Sequence, residues 1–274
     1  MITVSVAGGS QPEILELVKM AKKQHSDELS FVVFDTNENI ADESIWTYQK
    51  CEDELEVAKR AVALVANGEA DILLKGIIQT HTLLKELLNN DHELKTKKVL
   101  SHVAMVELPE FNQSFLLTDC AMNIAPTQET MIEIIENVKE VAHKIGLASP
   151  KIALLSAAEN YNPKMPSSVL ATEMTKQFQN VQDAIIFGPL SFDLALSKEA
   201  VAHKRYEGPI MGNADVLVVP AIDAGNALYK SLTIFAGAKV GGTIVGTKVP
   251  VVLTSRSDST QSKLHSLEFA IKQI

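Results

Sequence analysis

The chain has 274 residues, 46% of them hydrophobic and 22% charged, and a formal net charge of −9. That balance excludes a disordered segment, and the length suits one large α/β unit or two lobes sharing a cleft. Net acidity argues against a nucleic-acid partner, although a local basic patch inside an acidic whole can still receive an anionic substrate.

The first six residues, Met-Ile-Thr-Val-Ser-Val, read directly as a strand with no basic leader, and no apolar run approaches the length of about eighteen needed to cross a bilayer. The expectation is a cytoplasmic chain with no signal peptide and no membrane contact. Cys51 and Cys120 are far apart and lack CxxC spacing, a reduced pattern.

In chain order, a strand is expected at 2–7. Ser10 and Glu13 have capping-box spacing and Pro12 suits a first helical turn, so a helix follows. A strand at 31–34 comes next. Leu55, Ala58, Val62 and Val65 repeat with helical period, and Asn67-Gly68 supplies the stop. Strands are then expected at 71–74, 99–106 and 115–118, a helix at 127–146 ending on Gly146, and strands at 152–156, 184–187, 215–219 and 249–254. Most of these strands are unbroken runs of Val, Ile, Leu and Ala, as in strands buried on both faces. The fold class is α/β, with parallel or mixed sheets and helices on both faces.

Ligands of open parallel sheets collect outside the carboxyl ends of the strands. The residues there are Lys75-Gly76, Asp119-Cys120, Ser156-Ala157, Gly188-Pro189, Asp223-Ala224-Gly225-Asn226 and Ser255-Arg256. Turns favour such small and polar residues in any case. Lys75 closes a buried run and precedes a glycine that would let a ligand approach the backbone; a solvated strand-edge lysine is the alternative. Asn226 is placed to cap the following helix, which carries Lys230.

Arg60, Arg205 and Arg256 are the chain's arginines, and Arg256 alone follows directly on a buried strand. Asp258 and Gln261 have capping-box spacing, so Arg256 is expected beside a helix N-terminus, where N–H donors, serine hydroxyls and guanidinium suit phosphate. The alternative is an Arg256–Asp258 pair with the serines as caps.

Other chemistries find little support. In "GAKVGGTIVGTK" (237–248), Thr247 precedes Lys248 and a strand follows, the reverse of a P-loop, and no GxGxxG occurs. The seven histidines show no metal-ligand spacing, so no metal is expected. Cys120 could be a nucleophile, but a lone cysteine at a strand end reads better as a packed residue.

Several stretches occur together in order: "LLKGIIQT" (73–80), "LTDCAMNIAPT" (117–127), "NPKMP" (162–166), "FGPLSFD" (187–193), "ADVLVVPAIDAGNALYKSL" (214–232), "FAGAKVGGTIVG" (235–246) and "PVVLTSRSDS" (250–259). Together they resemble the phosphate acetyl/butyryltransferase family, its phosphate butyryltransferase branch in particular, over nearly the whole chain. The resemblance implies reversible exchange of a short acyl group between CoA and inorganic phosphate, by direct transfer in a ternary complex. It also implies a two-lobed fold of the isocitrate/isopropylmalate dehydrogenase type. One lobe would be residues 1–104 plus 246–274, the other 105–245, with the active site in the cleft between. CoA is then a substrate, and no cofactor is required. A homodimer or higher oligomer and an acyl kinase as pathway partner are implied as well.

By resemblance, Ser255 hydrogen-bonds the reacting centre and Arg256 serves phosphate or the developing oxyanion. The family's general-base aspartate falls on Ser262 here, so that role does not transfer, and Asp258 is the candidate base. A second cation of relatives would correspond to Lys97 or Lys98. Lys75, Gly76, Thr80, Asn123, Gly188, Pro189, Gly225, Asn226 and Lys230 are the candidates for binding substrate and CoA phosphates. The alternatives are a phosphate acetyltransferase or a non-catalytic CoA-binding protein; an NAD- and metal-dependent dehydrogenase would share only the fold type.

Overall fold

The computed structural model describes residues 1–25, 28–111, 113–254 and 258–274. The chain runs β1 (Ile2–Ala7), α1 (Pro12–His25), β2 (Leu29–Asp35), β3 (Thr47–Lys50), α2 (Glu54–Ala66), β4 (Ile72–Lys75) and α3 (Thr80–Leu87). It continues through β5 (Ser101–Glu107), β6 (Phe115–Thr118), α4 (Gln128–Lys144), β7 (Lys151–Leu155), α5 (Pro166–Gln177) and β8 (Ile185–Leu190). Then come α6 (Phe192–Leu196), α7 (Lys198–Lys204), β9 (Val216–Val218), α8 (Ile222–Phe235), β10 (Lys239–Val245), β11 (Val251–Val252) and α9 (Thr260–Ile271). The result is a mixed α/β protein in two compact units, Met1–Lys98 with Gly241–Ile274, and Val99–Val240.

In the first unit the strand order is β3-β2-β1-β4-β11-β10. All neighbours pair in parallel except β10 with β11. Val4, Val6, Phe31 and Val33 meet Ile14, Leu17 and Val18 of α1 and Leu264 and Leu267 of α9 in one buried cluster that also holds Trp46. In the second unit the order is β5-β6-β9-β7-β8, with only β5 and β6 antiparallel. Its core gathers Ala104, Phe115, Leu117, Ala153, Leu190, Leu194 and Leu217. The uninterrupted apolar strands follow from burial on both faces.

Two strands escape the sequence reading. β3 (TYQK) is short and partly exposed, with no apolar run to announce it. β10 contains the glycines weighed above only against a P-loop. A Cβ on Gly241 would lie 2.3 Å from the His265 carbonyl oxygen, so α9 rests directly on the strand backbone there.

Three caps also differ from expectation. Ser10 does not cap α1: its N–H donates to Asp35 Oδ2 at 2.8 Å and its hydroxyl to Tyr48, while Pro12 begins the helix. Ser259, not Asp258, caps α9, its Oγ accepting from the Ser262 N–H. Asn226 lies inside α8 rather than at its start. The stops at Asn67-Gly68 and Gly146 stand as read, with Gly68 and Gly146 at φ +75° and +98°.

Candidate functional site

In the first unit, the carboxyl ends of β1 and β4 meet through backbone contact. Gly8, at φ +83°, follows β1, and Gly76 follows β4. The Gly76 N–H donates to Ala7 O at 2.9 Å and the Ile77 N–H to Gly8 O at 2.7 Å. A Cβ on Gly76 would sit 2.0 Å from Gly8 O, so only glycine permits this approach.

Lys75 ends β4 and is 2% exposed. Its Nζ lies 3.3 Å from Gly76 O and 3.5 Å from Thr254 O. Thr254 is itself buried, and its hydroxyl has no hydrogen-bond partner among the described residues. An ammonium so placed is withdrawn from water, which strengthens its attraction for any anion that reaches it.

On the far side of residues 255–257, Asp258 is half-buried and Ser259 opens α9. Lys263, also 2% exposed, donates to Asp258 O at 2.6 Å and pairs with Glu13 Oε1 at 3.5 Å. Thr80 is exposed in the first turn of α3, after an N-cap residue, Gln79, that makes no side-chain cap.

In the second unit, the end of β6 carries a cis Thr118–Asp119 peptide. The buried Asp119 carboxylate accepts from the N–H groups of Ala121, Met122 and Asn123 and from Asn123 Nδ2 at 2.6 Å. Asn123 Nδ2 also donates to Leu100 O. The first turns of α8 press onto this loop. Gly225 faces Asp119 O, where a Cβ would come within 2.5 Å, and Asn226 Nδ2 donates to Cys120 O at 3.2 Å.

Beside the loop lies His102 of β5, edge-on to the Tyr229 ring, with its Nδ1 buried and unpartnered among the described residues. Burial pushes its pKa down, partly opposed by the Asp119 charge. Burial, and then Asp119, push the Cys120 thiol far up, so it stays protonated at neutral pH and is a packed residue rather than a nucleophile.

On β8, Gly188 precedes a cis Pro189. Thr175 Oγ1 donates to Gly188 O at 2.8 Å and accepts from its N–H at 2.9 Å. Gly188 has no room for a side chain, since a Cβ would fall 2.5 Å from Leu154 O.

The description "Phosphate acetyl/butaryl transferase" matches this chain over residues 13–271. The chain belongs to the phosphate acetyl/butaryl transferase family. It is 40% identical over 275 residues to a protein of Bacillus subtilis (strain 168) named "Probable phosphate butyryltransferase", covering 98% of this chain and 92% of that one. It is 38% identical over 281 residues to the phosphate butyryltransferase of Clostridium acetobutylicum, covering 98% and 92%. A branched-chain phosphotransacylase from Enterococcus faecalis V583 has a crystal structure that superposes with a TM-score of 0.97. Identity is 72%, with 100% of this chain and 99% of that one covered.

Within this transferase fold, the sequence-derived residues fall into separate groups. Lys75 and Gly76 lie at the end of β4 and Asp258 just before the Ser259 cap of α9, all in the first unit; Ser255 and Arg256 lie outside the described residues. Asn123, Gly225 and Asn226 meet around Asp119. Gly188 and Pro189 are on β8, and Lys230 is exposed on α8. Among the described residues no set of His, Cys, Asp and Glu side chains could hold a metal ion, and no helix is long and apolar enough to cross a membrane.

Sequence reasoning missed Thr254, His102 and Lys263. For Lys263 a signal was present. Lys263, Leu267 and Ala270 share one helical face, which puts the lysine on the buried stripe of α9.

Proposed function

We propose that this protein transfers a short acyl group, straight or branched, between CoA and inorganic phosphate: butyryl-CoA + phosphate ⇌ butyryl phosphate + CoA. A phosphate oxygen attacks the thioester carbonyl, a tetrahedral oxyanion forms, the C–S bond breaks, and the thiolate leaves and takes up a proton. The observation that carries this reading is Lys75, a buried ammonium placed on the carbonyl of Thr254, the residue that leads directly into Ser255-Arg256. Cationic and N–H donors around a dehydrated anion are what acyl transfer to phosphate needs.

In this reading Arg256 receives phosphate or the developing oxyanion, Ser255 hydrogen-bonds the reacting centre, and Asp258 is the base. Lys75, Gly76, Thr80, Asn123, Gly188, Pro189, Gly225, Asn226 and Lys230 supply contacts to phosphate and CoA. CoA is a substrate, and no cofactor takes part. The branched-chain title of the Enterococcus protein supports branched acyl groups among the substrates.

The enzyme is proposed to act in the cytoplasm, upstream or downstream of an acyl kinase. It is proposed to act as a homo-oligomer, for which the 70% and 85% exposure of Ile234 and Phe235 on α8 is the supporting feature.

The test is thiol release from acetyl-, butyryl- and isobutyryl-CoA, each with and without phosphate. Phosphate-dependent release, fastest with a four-carbon acyl group, is expected. CoA binding by calorimetry with no release from any thioester would make the chain a CoA-binding protein instead. Arg256→Lys should lower kcat/KM for phosphate about a hundredfold, because a point charge cannot reproduce the guanidinium fork.

A further inference from the structure

We propose that His102 exchanges the proton of the CoA thiol, taking it when acyl phosphate is the acyl donor and returning it when acyl-CoA is. The proposal rests on the acyltransferase reading above, which leaves unplaced the proton that the departing thiolate takes up.

The position follows from strand register. β5 runs antiparallel to β6, with Ala104 opposite Leu117. Continued by two residues, that register sets His102 opposite Asp119, the first residue past β6. This is the carboxyl end of the parallel strands β6, β9, β7 and β8, where ligands of such sheets gather. Alternation along β5 puts His102 on the face of Ala104 and Val106, which α8 covers. Tyr229 of α8 meets the imidazole edge-on, with ring centroids 6.3 Å apart. Asn123, Gly225 and Asn226, assigned above to phosphate and CoA, meet around the same Asp119.

Packing alone does not explain a histidine there. Nδ1 is enclosed and meets no donor or acceptor among the described residues, so the side chain gives up water at that atom and gains no bond from the fold. A leucine or phenylalanine would fill the place without that loss. The Asp119 carboxylate already accepts from three N–H groups and from Asn123 Nδ2. What it offers the ring is a fixed negative charge. Tyr229 is the other titratable group packed against the ring, and the Cys120 thiol beside Asp119 stays protonated. Burial keeps the imidazole neutral in the resting protein, the form that accepts a proton, and the Asp119 charge favours the imidazolium once it forms. Such departures from local preference gather at functional sites. The residue as a whole keeps part of its exposure, so a ligand reaches the ring although Nδ1 is closed off, and proton exchange runs through Nε2.

With butyryl phosphate as donor, Nε2 takes the S–H proton as sulfur bonds to the carbonyl carbon. The tetrahedral oxyanion collapses, the bond from that carbon to the phosphate oxygen breaks, and phosphate leaves with the electron pair. The imidazolium then gives its proton to phosphate or water. In the opposite direction the imidazolium protonates the departing thiolate.

The experiment compares wild type with His102→Gln in thioester formation from butyryl phosphate, reading kcat/KM for CoA between about pH 6.5 and about pH 9. Without a base the rate follows the thiolate, about 3% of a thiol of pKa about 8.5 at about pH 7. H102Q should therefore lose about thirtyfold at about pH 7, climb about tenfold per pH unit, and come within about threefold of wild type at about pH 9. Wild type should stay level over that range and fall only on the acid side, where His102 is protonated. CoA affinity by calorimetry should stay within about twofold of wild type, since the loss is in the chemical step. Nδ1 has no partner to lose, so H102Q is expected to fold.

An unchanged rate in H102Q near neutrality overturns the proposal, as does a loss of equal size at both ends of the pH range, which is a structural defect. If H102Q does not fold, the wild-type profile decides: a level rate supports the proposal, and a rate that climbs with the thiolate overturns it. An acid limb lost in Asp258→Asn and kept in H102Q gives the sulfur proton to Asp258 and overturns it too. Wild-type protein that forms no thioester from butyryl phosphate and CoA would instead remove the acyltransferase reading itself.

Discussion

Gly76→Ala is the sharpest perturbation of the first unit. The added Cβ would meet Gly8 O at 2.0 Å, Gly8 C at 2.9 Å and Ala7 O at 3.2 Å, all backbone atoms that no rotamer change can move aside. Ordinary contact begins near 3.4 Å, so the β1 and β4 loops must part by more than an ångström. That separation removes the Gly76 N–H to Ala7 O and Ile77 N–H to Gly8 O bonds. Two lost hydrogen bonds at about 1 kcal/mol each, plus overpacking of about 1–3 kcal/mol, give a destabilisation of roughly 3–5 kcal/mol. Urea unfolding followed by fluorescence is the assay. The chain's one tryptophan, Trp46, lies in the core of this same unit and reports on it alone. Gly68→Ala is the control: at φ +75° with no atom within 4 Å, it carries only left-handed strain, about 1–2 kcal/mol. If G76A costs no more than G68A, the close approach of the two loops is wrong. If G76A costs the full amount and the folded fraction keeps wild-type kcat, then Lys75 is not held in place by this contact.

Three further outcomes are expected. His102, neutral in the fold because burial lowers its pKa, takes up a proton more readily when unfolded. Stability should therefore fall as pH drops below the unfolded value of about 6.5, by at most about 1.4 kcal/mol per pH unit. His102→Gln should flatten that part of the profile in pH-dependent melting; an identical slope in both proteins means His102 does not titrate this way. Cys51 and Cys120 are both buried with thiol pKa values pushed up by burial, so native protein should resist a disulfide reagent until denatured, and Cys120→Ala should keep turnover. Rapid labelling of the native chain contradicts the packing described. Asp258→Asn should remove one limb of the pH–rate profile if Asp258 is the base. An intact profile would mean that Asp258 is not the base.

The parallel framework was legible because its signal is local. Runs such as Ile72–Leu74 and Val216–Val219 contain no polar alternation, and burial on both faces is their simplest cause. The caps were less legible because two oxygens compete within one residue of each other. Asp258–Gln261 and Ser259–Ser262 share the same spacing, and the choice depends on where the chain leaves the preceding segment. At α1 the competition was tertiary: Asp35, twenty-five residues away, takes the N–H of Ser10. β10 was hidden because Gly241 answers to a helix backbone that comes later in the chain, not to its own strand propensity.

The site divides along the same line. Lys75 stood out because a lysine closing an apolar run is locally anomalous. What its ammonium meets was invisible, since the Thr254 carbonyl is 179 residues away in sequence. Lys263 is the harder case. Its neighbours Gln261, Ser262 and His265 make the turn look solvated, and only the i, i+4, i+7 relation to Leu267 and Ala270 betrays its burial. Helical period assigns a face, and it cannot say whether a charge on that face has found a partner. For Lys263 the partners are Glu13 from the other end of the chain and the carbonyl of Asp258, five residues back. A buried cation is tolerable only when such contacts are in place, so the burial of Lys263 depends on a helix from the other end of the chain as much as on its own.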